Sequence, residues 1–524
     1  MKKVSLWIAA LAIASSACAQ QNATALKYGK LITANDAKKH LSILASDDFE
    51  GRETGKPGAD KAANYIANEF KKLGLVAPVN GSYFFDVPLA ETKLNITAFA
   101  INGQTFNNGD DFFLNGLFAD KSINATDVVF VGYGTEAELA NTDIAGKVVL
   151  WINEDKPEAG KTPNTSYRMS TARQAVVKAI QAKNPAAILA ANGELGPLLK
   201  RFGSSVRGGR LAIKKDGGVK LNPTAAVFNV TLAVADAVVK PTGKSYTDLK
   251  TAAATASQTQ AIKSTATIAY ATENKDVKAV DVLGFLPGSD PKLKDEVLIF
   301  SAHYDHIGLV TTPGATDKVN NGADDDGSGT TGVLEIAQAF AKAKKDGHGP
   351  RRSVLFLANV GEEKGLLGSE YYTDHPVYPL ANTIADLNID MIGRVGEEYI
   401  GKPDSANYVY SIGSNMLSSD LNKIGEDANN TYTQMKLDYK YDDPNDPNRF
   451  YYRSDHYNFA RYNVPIIFYF NGVHADYHQP GDEVSKINFP LLAKRSQLAF
   501  YTGWELANRD NRPVVDKKPV GGVR

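Results

Sequence analysis

Four stretches of this chain are almost uniformly apolar and β-prone: 297–302, 354–360, 384–389 and 464–470. A strand with one wet face alternates apolar and polar residues. A run without alternation suits a strand buried on both faces, as in parallel sheets covered by helices. Between the first two runs lies 328–344, where Val333, Leu334, Ile336, Ala337 and Phe340 recur at helical spacing. Strand, helix, strand predicts an α/β fold from about residue 278 onward: a mixed, mainly parallel sheet flanked by helices.

That prediction says where chemistry should be sought. In open α/β sheets, sites form beyond the carboxyl ends of the strands. The first run is followed by His303-Tyr304-Asp305, and the second by Gly361-Glu362-Glu363. The third ends at Asp390, and the loop after the fourth carries Tyr477-His478. The helix after the first run is preceded by Gly-Ala-Asp-Asp-Asp-Gly-Ser-Gly, 322–329, with Asp324, Asp325 and Asp326 side by side. Singly, each signal is weak: a lone histidine at a strand end is usually structural, and paired glutamates usually sit in a wet loop. Their convergence on one sheet edge is what counts. Carboxylates gathered there repel unless a cation neutralises them.

Imidazole plus carboxylate suits zinc or a related divalent ion, and the acids are too many for one tetrahedral site. A metal pair bridged by a carboxylate would use them. Asp305 is close enough to His303 to hold its second ring nitrogen, or it is an exposed loop acid. Of the adjacent Glu362 and Glu363, one can bind metal while the other serves as general base towards water. Tyr477 is either an oxyanion donor or a packed aromatic.

The rest of the chain is less specific. Lys2 and Lys3, an apolar run over 4–14 and Ala17-Cys18-Ala19 resemble an export leader cleaved after Ala19. Cys18 is the only cysteine, so cleavage there leaves neither disulfide nor thiol ligand. The alternative is a lipid anchor on Cys18, although Ser15-Ser16-Ala17 lacks the leucine usual in such signals. Either reading places the protein outside the cytoplasm, periplasmic or secreted, with no membrane span. A net charge of −1 gives no reason to expect a nucleic-acid partner. Residues 59–73 read as an amphipathic helix stopped by Gly74. The middle, 85–272, reads as a β-rich module with a helix or two, one of them over 171–183.

Six segments in order resemble the M28 family of zinc peptidases: SAHYDHIG (301–308), NGADDDGSG (321–329), GEEKGLLGS (361–369), LNIDMIG (387–393), RSDHYNF (453–459) and YHQPGDE (477–483). The strong resemblance covers about 280–500, with a weaker one over 44–67. The middle, through VVFVGYGTE (128–136), GKVVLW (146–151) and NPAAILAANG (184–193), resembles the protease-associated (PA) module inserted in many members. The resemblance implies a zinc exopeptidase fold divided as a leader, 1–19; an N-terminal part of the peptidase domain, 20–84; an inserted PA domain, 85–272; the catalytic domain, 273–508; and a C-terminal tail, 509–524.

It also implies two Zn2+ per chain, other divalent metals being alternatives. His303 and Asp390 would bind one, Glu363 and His478 the other, and Asp325 would bridge them. Glu362 would be the general base and Tyr477 would support the tetrahedral intermediate. Asp305 and Asp326 would hold ligands in place, and the Asp325–Asp326 peptide bond would be cis. The expected activity is an aminopeptidase acting on peptides. Alternatives are an enzyme like glutamate carboxypeptidases or glutaminyl cyclases, or a non-catalytic peptide-binding protein. A carboxypeptidase would need an arginine for the substrate carboxylate, with Arg394, Arg449 and Arg453 as candidates.

Overall fold

The computed structural model describes residues 21–518 apart from 204, 205, 207, 312 and 313. The leader segment and Cys18 lie outside the described residues. The described residues form two compact units, one comprising those up to Pro88 together with those from Lys278, the other those of Leu89–Val277.

The first unit is built on the four apolar runs, which form β1 (Val297–His303), β2 (Ser353–Asn359), β3 (Thr383–Ile389) and, late in the chain, β6 (Ile466–Phe470). Between β3 and β6 come β4 (Tyr408–Ile412) and β5 (Lys436–Asp438). The sheet order is β5-β4-β6-β3-β1-β2, followed by residues 282–286. β1 pairs in parallel with β2 and β3, and β3 with β6. Antiparallel pairing enters towards the edges, between β4 and β6 and between 282–286 and β2. Every residue of β1, β2, β3 and β6 is buried, as expected of strands covered on both faces.

The helices supply that cover. They include α1 (Pro57–Lys72), α2 (Gly327–Lys345) and α3 (Phe489–Asn508). The pleat sends Phe300 and Phe356 to one face, where Phe340 of α2 packs at a tilt against Phe500 and Trp504 of α3 at ring distances of 5.0 and 5.6 Å. Ile299, Leu355 and Leu357 point the other way, into a cluster with Tyr372, Phe459 and Phe468. Gly284 lets α1 lie close to the sheet. A Cβ there would come within 2.7 Å of Phe70 and Leu75. The helix expected over 59–73 spans Pro57–Lys72, with Gly74 beyond it at φ 75°.

The second unit holds a six-stranded sheet in the order Gln260–Ile262, Val128–Phe130, Val148–Ile152, Ala187–Ala191, Val227–Val230, Phe112–Leu114. Its four central strands are parallel and its edges antiparallel. The expected helix over 171–183 is Thr171–Gln181. The unit is richer in helix than the sequence suggested, with Glu136–Ala140, Leu195–Phe202, Leu232–Val239 and Tyr246–Thr255 besides. The segment LAVADAVV, for example, mixes β-prone valines with helix-favouring alanines. Tertiary packing of Val234, Ala235, Val238 and Val239 makes it a helix.

Candidate metal centre

Strand register places the chemistry. His303, the last residue of β1, pairs with Asn359 of β2, and Ser301 pairs with Asn388 of β3. The three strands therefore finish level. Each then delivers a residue to the same edge: Asp305 and His306 after β1, Glu362 and Glu363 after β2, Asp390 after β3. The loop after β6 brings Tyr477 and His478, and the loop before α2 brings the three aspartates.

Asp325 sits at the middle of the cluster. Its Oδ1 lies 3.4 Å from Nε2 of His303, and its Oδ2 lies 3.0 Å from Nε2 of His478. Around His303 Nε2 stand Asp390 Oδ2 at 3.6 Å and Glu362 Oε2 at 3.8 Å. On the other side, Glu363 places Oε2 at 3.2 Å from His478 Nε2 and Oε1 at 2.7 Å from Nδ1 of His306. Two groups have donor atoms within 4.8 Å of one another: His303, Glu362 and Asp390, and His306, Asp325 and Glu363. Asp325 thus turns one oxygen to each side.

The neighbouring residues hold these side chains. His303 Nδ1 lies 3.1 Å from the Asp305 carbonyl and 3.7 Å from its carboxylate. That carboxylate accepts from the Thr54 hydroxyl at 2.6 Å and the Glu362 N–H at 3.2 Å. Asp326 caps α2, accepting from Gly329 N–H at 2.8 Å and Met391 N–H at 3.0 Å. The Asp325–Asp326 peptide bond is cis. Asp390 accepts from the Ser454 hydroxyl at 2.7 Å. Tyr477 stacks on His478 with ring centroids 4.0 Å apart, and its hydroxyl accepts from Arg453 Nη2 at 3.2 Å. Beside them, Asp325, Glu362 and Asp390 share a small hollow with Met391, Phe450, Arg453, Phe468, Phe470, Val473 and Tyr477.

The electrostatics of this edge call for positive charge. Burial disfavours a charged His478, yet its contacts with Asp325 and Glu363 raise it to about 10. Burial and repulsion from Asp325 would raise Glu363, but His306 and His478 hold it at about 2. His303 is likewise pushed up, its burial outweighed by Glu362 and Asp390. Burial also drives Glu362 up, well above the usual carboxylate range, with Glu363 and Asp390 adding repulsion against the pull of His303. The buried Nε2 of His303 faces three carboxylates at 3.4–3.8 Å yet has no hydrogen-bond partner. Imidazole and carboxylate donors converging around such an atom fit a divalent ion of the zinc type.

The nine residues expected to bind metal, act in catalysis or hold ligands in place all lie at this edge. Four others there had not been singled out. His306 contacts Glu363. Arg52, fully buried, donates to the carbonyls of Leu44, Tyr304, Asn321 and Gly322 at 2.7–2.8 Å. His474 and Asp482 stand behind Asp324. His306 lies inside the quoted SAHYDHIG segment, and its place one residue after Asp305 was the available signal. Among the candidate carboxylate-binding arginines, Arg394 is paired with Asp476 at 2.9 Å and Arg449 lies over the Tyr452 ring. Of the three, Arg453 reaches the hollow.

Residues 281–502 match the model of Peptidase family M28. Aminopeptidase YwaD of Bacillus subtilis (strain 168) is 26% identical over 237 residues, covering 43% of this chain and 44% of the relative. Leupeptin-inactivating enzyme 1 of Streptomyces exfoliatus is 28% identical over 243 residues, covering 42% and 47%. The matches thus span about half the length of the curated relatives. Among solved structures, an aminopeptidase from Aneurinibacillus sp. strain AM-1 is similar in fold, with a TM-score of 0.51 at 19% identity. That similarity covers 94% of this chain and 98% of the other. Over residues 281–502 the chain is thus similar to the M28 peptidases.

Proposed function

We propose that the protein is an exported, zinc-dependent aminopeptidase with a two-metal site. The observation that carries this reading is the placement of Asp325, one carboxylate oxygen towards His303 and the other towards His478. A bridging carboxylate between two half-sites needs that disposition. His303 and Asp390 would hold one ion, Glu363 and His478 the other. When bound, the metals supply Lewis acidity and lower the pKa of a bound water towards ~7.

The chain's own residues do the rest. Glu362 is largely buried, stands 3.8 Å from His303 Nε2, and has an N–H that the Asp305 carboxylate accepts. It is placed to take the proton of the attacking water and return it to the leaving amine. The Tyr477 hydroxyl, held by Arg453, is placed to donate to the developing oxyanion. Acidic side chains around the centre give a free substrate ammonium somewhere to bind, and the hollow walled by Phe450, Phe468, Phe470 and Val473 offers apolar contact. Export rests on the leader segment, and the PA assignment of the inserted segment on its sequence motifs.

Arg453 at the hollow favours a second reading, in which its guanidinium receives a substrate carboxylate. A panel of aminoacyl anilides, free peptides and N-blocked peptides, each with and without a chelator, separates the two. The aminopeptidase reading expects chelator-sensitive cleavage of substrates with a free N-terminus. Cleavage confined to N-blocked substrates with a free carboxylate would transfer the assignment to the second.

A further inference from the structure

Asp482 lies four residues beyond His478 and is fully buried. Its Oδ2 accepts the backbone N–H groups of Asp324 and Asp325, both at 3.0 Å, and its Oδ1 is 3.1 Å from the Asp324 nitrogen. Its own carbonyl accepts the Ala323 N–H at 3.0 Å. Three successive amides of the loop bearing Asp325 thus go to one residue of the loop bearing His478.

Asp324 continues the join. Its Oδ1 accepts from Gly393 N–H at 2.6 Å and from the Ser328 hydroxyl at 3.0 Å, and its Oδ2 from Asn471 Nδ2 at 3.0 Å. Gly393 follows Asp390 in the loop after β3. Two buried carboxylates side by side need positive charge nearby. His474 Nε2 is 3.2 Å from Asp324 and 3.9 Å from Asp482, and Arg394 Nη1 is 3.6 Å from Asp482. The loops of Asp325, Asp390 and His478 meet in this knot.

We propose that Asp482 is a positioning residue for the metal centre. By gripping the amides of 323–325 it fixes Asp325 between the two half-sites and so sets zinc affinity. The assignment rests on the two-metal reading above. Charge-assisted acceptance of two N–H groups is stronger than a neutral bond, and no neutral side chain reproduces it. Groups that hold metal ligands in place typically change metal affinity by about 10–100-fold when removed.

Asp482→Asn preserves volume but turns an NH2 towards the loop amides or towards Arg394 and His474. Competition with a chelator should show zinc binding about 10–100-fold weaker than wild type, with the far-ultraviolet spectrum unchanged. Peptidase activity should return at saturating zinc, which a collapsed site would not allow. Asp482→Ala should lie at the larger end of the range. Wild-type zinc affinity in either folded variant overturns the assignment. Should neither variant fold, hydrogen exchange of amides 323–325 in the metal-free wild type decides. Strong protection supports the grip, and exchange at open-loop rates rejects it. A wild-type chain that takes up no zinc defeats the two-metal reading itself, and the exchange result stays informative about the grip.

Discussion

Glu362 and Glu363 are neighbours with opposite electrostatic surroundings. Glu363 is flanked by His306 and His478 and stays ionised down to about 2, whereas burial and carboxylate neighbours drive Glu362 upward. On the proposed two-metal reading, ligand and proton carrier would thereby be separated within one dipeptide. Glu362→Gln should keep both metals and lose about 10²–10⁴-fold in kcat, the usual worth of a general base. Metal analysis with steady-state kinetics checks this, and wild-type turnover in the variant rejects the role. Arg52 acts at a distance from the chemistry. Its guanidinium satisfies four carbonyls, two of them in the loop leading to Asp325. Arg52→Ala leaves buried acceptors unpaired and should cost about 3 kcal/mol or more in chemical denaturation. Lysine should recover only part of that, since one ammonium cannot span the four acceptors.

At the scale of the element, α2 carries two unlike burdens. Its first turn is capped by Asp326 beneath the metal centre, and its middle buries Glu335. Burial raises the Glu335 carboxyl to about 7, with one hydrogen bond from Thr33 N–H and His40 at 3.8 Å. The native state therefore holds a proton that the unfolded chain releases near 4.5. This raised value favours folding below about 4.5, and the benefit is lost as pH rises through about 7. Glu335→Gln should match wild type near pH 4.5. It should be more stable above pH 7, by at most about 3 kcal/mol. Denaturant midpoints across that range test it. A difference that does not change with pH rejects the account.

At the scale of the whole molecule, the site is assembled from loops spread over the chain, so its occupancy is coupled to folding. Zinc held, as proposed, by ligands from five separate segments would stabilise only the assembled state, by about 2.7 kcal/mol at a hundredfold excess over Kd. Elemental analysis should give close to two zinc per chain. A chelator should lower Tm and abolish activity together, and zinc should restore both. A stoichiometry near one would move the reading towards the cyclase alternative. The surroundings of the ligands were the least legible part of the sequence. Strand ends and the acidic run announced His303, Asp325, Asp390 and the glutamate pair. Arg52, by contrast, meets Gly322 across 270 residues, and Asp482 meets Asp324 across 158. Periodicity carries no information over such separations. The short helices of the second unit were missed for a different reason: in LAVADAVV valines and alanines give conflicting local signals, and burial of Val234, Ala235, Val238 and Val239 favours the helix.

By itself the sequence determined the buried parallel strands, the helix between the first two and the residue types at their ends. Apolar periodicity and strand-end chemistry are local properties of the chain. Only the tertiary structure decided the sheet order, the two-sided placement of Asp325, the contact of His306 with Glu363 and the grip of Asp482 on the aspartate loop. Each of these depends on loops brought together by burial of the sheet, and chain order alone does not specify such a meeting.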